Sequence, residues 1–203
     1  MNNLKDKIVL ITGAGKGRGR LLAKAFAEQG AIVAANDISP INVEEVVDEI
    51  NKRGYRAKAY IEDVAKKVGV QNLINQVEDD FGRIDVLVNH AAVEPNVPVL
   101  SMDEWDWHRV LDVNLTGAFL MTQSAGRVMQ TQGAGVIINL VTESVRDEKN
   151  EAAFVASMSG LKSFTQQAAR ELNPHGIRIY AVVNTSDTII ANVLALFEAV
   201  ERP

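Results

Sequence analysis

The 203-residue sequence has no cysteine, which excludes disulfides and thiolate chemistry. No apolar run approaches the ~20 residues that a membrane span needs, and no signal-peptide pattern precedes the first candidate strand. No basic run stands out. With 26 acidic against 21 basic residues the net charge is −5, so a nucleic-acid partner has little electrostatic support. Linkers, low-complexity tracts and repeats of solenoid period are also missing. These absences lead us to expect a soluble, cytoplasmic protein with no membrane or nucleic-acid partner. What is present is ordinary for a globular chain, 47% apolar and 23% charged residues, and the length suits one domain over residues 1–203.

The organising stretch is residues 7–20, Lys-Ile-Val-Leu-Ile-Thr-Gly-Ala-Gly-Lys-Gly-Arg-Gly-Arg. Ile8 to Ile11 is wholly apolar, as a parallel strand buried on both faces should be. Glycines follow at 13, 15, 17 and 19, and then Leu21, Leu22, Ala25 and Phe26 recur at helical spacing. Between a strand and a helix, glycines let the backbone approach a ligand closely, and the helix aims its free N–H groups at the same spot. The stretch therefore predicts a cradle for a pyrophosphate; the plainer alternative is a tight turn with no ligand.

Strand and helix alternate through the rest of the chain. Ala31–Ala35 reads as a second strand ending at Asn36-Asp37, and Ser39-Pro40 starts a helix whose buried stripe is Val43, Val46, Val47 and Ile50. A third strand over about Arg56 to Tyr60 leads to Asp63-Val64, and Val70, Leu73, Ile74, Val77 and Phe81 mark the next helix. Ile84–Val88 is a fourth strand. Ser101-Met-Asp-Glu104 reads as a capping box opening a helix that runs to about Gln130. Val136–Leu140, Ala152–Leu172, Ile177–Val183 and Ile190–Val200 complete the alternation as strand, helix, strand and helix. Six strands with right-handed crossovers predict an α/β fold, a doubly wound parallel sheet of order 3-2-1-4-5-6, with ligand bound at the carboxyl edge where strands one and four diverge.

Asp37 lies 24 residues past Gly13, at the tip of the second strand. A carboxylate there can accept from both hydroxyls of an adenosine ribose and repels a 2′-phosphate, which favours NAD over NADP. Lys16 and Arg18 pull the other way, although loop cations serve a pyrophosphate equally well. The plainer reading of Asp37 is a turn residue ahead of a helix cap.

Thr-Gly-x-x-x-Gly-x-Gly over residues 12–19 resembles the cofactor loop of the classical short-chain dehydrogenase/reductases, and the resemblance extends to about Val183. It implies a Rossmann-type fold and nicotinamide-dinucleotide contacts from Gly13, Lys16, Gly17, Arg18 and Gly19. Asp63-Val64 resembles the pair that contacts adenine. Asn89-His90-Ala91-Ala92 stands where the family has Asn-Asn-Ala-Gly, keeping Asn89 and Ala91; a lone histidine such as His90 is usually structural. Asn114, in Val-Asn-Leu-Thr-Gly, matches the asparagine that supports the family's active-site water chain, or else fixes helix backbone. The family also pairs its fourth and fifth helices with their twins across a two-fold axis. The resemblance thus implies a homodimer through the helices near 101–130 and 152–172.

The pattern breaks where chemistry would occur. Thr142 falls on the family's serine position, next to Glu143 and Ser144, and could still hydrogen-bond a carbonyl oxygen. The family's Tyr-x-x-x-Lys reads Phe154-Val-Ala-Ser-Met158, with the flanking Ala-Ser and Leu161-Lys-Ser-Phe-Thr fixing the register. Reducing a carbonyl creates an alkoxide that takes a proton from the phenol, while the lysine lowers that phenol's pKa and holds the nicotinamide ribose. Phe154 has no such proton and Met158 no charge. After the sixth strand the family has Pro-Gly, a lid and a seventh strand; this sequence has Asn184-Thr185-Ser-Asp-Thr and one helix, so lid and strand are expected to be missing. The expectation is an NAD-binding protein of this family in which Asn114 and Thr142 are catalytic remnants and hydride transfer is impaired. An active oxidoreductase with another acid, a non-enzymatic partner of an active paralogue, and a fold that binds no cofactor remain the alternatives.

Overall fold

A computed structural model of the chain describes residues 4–142, 151–183 and 188–198. Six parallel strands form one sheet: β1 (Ile8–Thr12), β2 (Ile32–Asp37), β3 (Arg56–Ile61), β4 (Val86–Asn89), β5 (Gly135–Val141) and β6 (Ile177–Val183). Their order is β3-β2-β1-β4-β5-β6, as the alternation of periods predicts. β1 pairs with β2 from Ile8↔Ile32 to Thr12↔Asn36 and with β4 from Val9↔Val86 to Ile11↔Val88. The chain leaves β1 toward one side of the sheet and β4 toward the other, and the crevice between their carboxyl ends is the topological switch point.

The apolar run in β1 serves two cores. Val9 and Ile11 face one side with α1 (Gly17–Glu28), α2 (Pro40–Lys52) and α7 (Ile189–Glu198). Ile8 and Leu10 face the other with α3 (Lys67–Phe81), α5 (Ala118–Gln132) and α6 (Ala152–Leu172). Phe26 of α1, fully buried, meets Phe197 of α7 edge to face with centroids 5.9 Å apart. Burying a side chain of this size contributes about 1.5–3 kcal/mol. Among the described residues, no helix is long and apolar enough to cross a membrane.

Two local expectations need correction. The helix predicted from Ser101 begins later: α4 spans Glu104–Leu111, and the cap is Asp103, whose carboxylate accepts the Asp106 N–H at 2.7 Å. Ser101 instead closes a turn onto the Pro98 carbonyl, and a carboxylate at the positive helix end is an effective cap. The helix from there to Gln132 is also not uniform, since a π-helical turn over Asp112–Gly117 separates α4 from α5. Ser39 caps α2 as read, with Pro40 in the first turn.

Candidate functional site

The site is assembled where β1, β2, β3 and β4 end. Thr12, the last residue of β1, is buried; its hydroxyl accepts the N–H groups of His90 and Ala91, both at 3.1 Å, and lies 3.5 Å from the Val88 carbonyl. It binds the start of the glycine loop to the chain leaving β4. Gly13 has φ +66°, and a Cβ on it would sit 2.8 Å from the Ala91 Cα. A Cβ on Gly19 would lie 2.1 Å from the Gly13 carbonyl oxygen. Neither position tolerates a side chain. The turn delivers the chain into α1, which begins at Gly17 without a side-chain cap on its N–H groups.

The loop is tied to β2 as well. The Ala14 N–H donates to the Asn36 carbonyl at 2.8 Å, and the Gly15 N–H donates to Asp37 Oδ2 at 2.9 Å. Asp37 Oδ1 accepts the Ser39 N–H, also at 2.9 Å. Each carboxylate oxygen thus holds one backbone donor and keeps a further lone pair. Asn36 donates to the carbonyls of Tyr60 and Glu62 and carries the connection on to β3. Beyond β3, Asp63 accepts the Ala65 N–H at 3.0 Å and lies 3.4 Å from the Lys66 ammonium.

These ends enclose a cleft of about 720 Å³. Gly13, Lys16, Asp37, Asp63, Val64 and Ala91, each expected from the sequence as a cofactor contact, line it together. Gly17, Arg18 and Gly19 form the adjoining turn and first helical residues. Asn89 is directed elsewhere: it is buried, and its amide donates to Asn139 at 2.8 Å and reaches Thr122 and the Ala118 carbonyl. His90 lines the cleft with Nδ1 3.1 Å from the Gly13 carbonyl, a contact that puts the hydrogen on Nδ1. Burial lowers its pKa, opposed by hydrogen bonds with Gly13 and Thr12 and by Asp37, and aided by Arg18. Sequence reading passed over Asn42, Trp105, Arg109 and Val113, which also line the cleft, and took Ser39 only as a helix cap.

The short chain dehydrogenase family model matches residues 7–188. This chain belongs to the short-chain dehydrogenase family. Among its relatives, the (2S)-[(R)-hydroxy(phenyl)methyl]succinyl-CoA dehydrogenase subunit BbsD of Thauera aromatica is 35% identical over 88% of this chain and 72% of its own length. The 3-oxoacyl-[acyl-carrier-protein] reductase FabG of Staphylococcus epidermidis is 38% identical over 87% of this chain and 73% of its own. In structure, the chain resembles a metagenomic short-chain oxidoreductase in complex with NADP, with a TM-score of 0.90, 28% identity, and coverage of 96% of this chain and 92% of that one. It also resembles an NAD+-bound xylitol dehydrogenase, with a TM-score of 0.84, 31% identity, and coverage of 94% and 75%.

Within this family's framework the remaining predicted residues lie around α6. Phe154 and Met158, expected from the sequence to stand where the family has tyrosine and lysine, are each 4% exposed and pack with Ala118, Val141 and Leu161. Asn114 is fully engaged: its Oδ1 accepts the Val93 N–H at 2.8 Å, and its Nδ2 donates to the Val93 carbonyl and to Ser157 Oγ, both at 3.0 Å. Ser157 in turn donates to the Phe154 carbonyl at 2.7 Å. Asn114 therefore fastens the segment after β4 to α6 at the π-turn. Thr142 follows β5, half-buried. Glu143, Ser144 and the Asn184-Thr185 stretch lie outside the described residues.

The groups present fit one half of a nicotinamide dinucleotide. A free helix N-terminus suits a diphosphate, and a carboxylate with spare lone pairs on the cleft wall suits ribose hydroxyls. At residue 154 there is no ionisable proton.

Proposed function

We propose that this chain is a single-domain, NAD-binding member of the short-chain dehydrogenase family in which hydride transfer between carbonyl and alcohol is impaired. The observation that carries this reading is the buried apolar packing of Phe154 and Met158 where the family places its acid and its lysine. A bound nicotinamide dinucleotide would supply or accept the hydride. This chain's part would be to seat the diphosphate at the start of α1 and to hold the adenosine ribose at Asp37. Gly13, Lys16, Gly17, Arg18 and Gly19 would form the diphosphate seat, Asp63 and Val64 the adenine side, and Ala91 the wall after β4, with Asn89 acting only from the buried network behind it. Asn114 would keep its positioning role, and Thr142 would be the remnant of the serine. Protonating an alkoxide then has no phenol to draw on, and loss of a general acid alone costs about 10²–10⁴ in rate.

Asp37 supports NAD over NADP, because its carboxylate opposes a 2′-phosphate. The solved relatives hold one cofactor each way, so the preference rests on Asp37 alone. Soluble cytoplasmic function fits the composition. A second reading, the non-enzymatic partner of an active paralogue, gains support from the Thauera aromatica relative, which is itself named a subunit of a dehydrogenase.

Calorimetry with NAD and NADP, followed by a turnover screen on carbonyls and alcohols with the same sample, tests the proposal. Expected are tighter binding of NAD, no turnover by the unmutated chain, and a small gain only in the double variant Phe154→Tyr with Met158→Lys, since such groups act as a unit. Robust turnover by the unmutated chain would show that another group, Thr142 first among them, serves as the acid.

A further inference from the structure

We propose that Trp105 of α4 is a ligand-binding residue, the surface on which the base of a bound nicotinamide dinucleotide stacks. This rests on the reading that the cleft holds such a dinucleotide, and goes beyond it by assigning a specificity-determining side chain outside the glycine loop and the strand ends.

α4 is oriented unlike a helix that only covers a core. On the surface of a globular protein, a helix ordinarily turns residues spaced i, i+3, i+4, i+7 and i+8 toward the interior. Here Trp105, His108, Arg109, Asp112 and Val113 have that spacing, run from α4 into the π-turn, and all line the cleft. Val110 is the one residue of α4 that is buried. The helix gives its continuous stripe to the cleft and a single side chain to the core.

Trp105 is 65% exposed within that stripe. An indole can bury about 150–250 Å² against a partner, so a ring this open in the wall of a cleft is a ready surface for another flat group. Its orientation is set by Arg109, one turn further on, whose guanidinium carbon lies 5.2 Å from the ring centroid. A cation over one face of the indole holds the ring and leaves the opposite face for stacking. Asp63 and Val64, which the family resemblance assigns to the adenine side, line the same cleft from beyond the end of β3. Adenine is therefore the part of the ligand that meets Trp105, and a stack needs no hydrogen-bond pattern on the base to contribute affinity.

The chain has two tryptophans, so Trp107→Phe leaves Trp105 as its sole indole emitter. We expect NAD and ADP-ribose each to quench that emission, saturating at the dissociation constant that calorimetry of the same chain gives. In calorimetry, Trp105→Ala should bind NAD about tenfold more weakly, the scale of one lost stack, and Trp105→Phe should stay within about threefold of the unmutated chain. Unchanged affinity in Trp105→Ala overturns the proposal, and so does NAD that binds without altering Trp105 emission; either result leaves dinucleotide binding intact. Quenching by NAD but not by bound ADP-ribose also overturns it, by putting the nicotinamide on α4. Absence of NAD binding to the unmutated chain removes both the proposal and the reading beneath it.

Discussion

At the scale of single residues, side chains that a sequence marks as functional also hold the fold. Asp37 is the clearest case, since the carboxylate read as a ribose contact also receives the Gly15 and Ser39 N–H groups. The ribose reading and the turn reading are therefore compatible at this position. His90 is held to Gly13 in the wall of the cleft and carries a pH consequence. Its pKa is lowered from the ordinary 6.5, first by burial, so the folded chain refuses a proton that the unfolded chain accepts. Above about pH 6.5 both states are neutral and the residue has no effect. As the pH falls through that value stability drops, and the loss levels off below the folded pKa. His90→Asn is expected to flatten the dependence of the urea midpoint on pH between about 7 and 5. Equal slopes in the two proteins would place the titration elsewhere.

At the scale of elements, legibility followed the physical signal. Apolar runs and helical stripes placed the six described strands, and β6 and α6 fell on their predicted bounds. The π-turn at Asp112–Gly117 had no such signal, because Val-Asn-Leu-Thr-Gly keeps helical spacing while the backbone widens by one hydrogen-bond step. What holds that turn is long-range: Asn114 reaches Val93 and Ser157, 21 and 43 residues away. Position 157 was legible only as register and not as a hydrogen-bonding partner. Asn114→Ala would leave the backbone groups of Val93 without partners at a half-buried site, at a cost of about 1–3 kcal/mol. Chemical denaturation should show a lowered midpoint with an unchanged slope. A loss below about 0.5 kcal/mol, the size of an ordinary surface substitution, would mean that the segment after β4 is held by other contacts.

At the scale of the whole molecule, the sheet and its switch point were legible because each depends on order and alternation rather than on any one residue. Assembly is different in kind. We expect a symmetric dimer through the outer faces of α5 and α6, where Phe119 and Val155 remain 39% and 42% exposed and Phe119 meets Phe164 edge to face. Sedimentation at micromolar concentration should give twice the chain mass, and Phe119→Glu should return it to the monomer. A stable monomer or a tetramer in the unmutated chain would count against this interface. The sheet order also has a bearing on synthesis. β1 is made first yet lies in the middle, between β2 and β4. Residues 8–61 can pair as β1, β2 and β3, but the other edge of β1 stays open until Val86–Asn89 has been made. Throughout that interval the nascent chain presents Val9, Leu10 and Ile11 along an unpaired strand, the kind of edge that other strands can add to. The central place that builds the nucleotide cleft thus leaves the growing chain dependent on an early, sheltered fold of its first half.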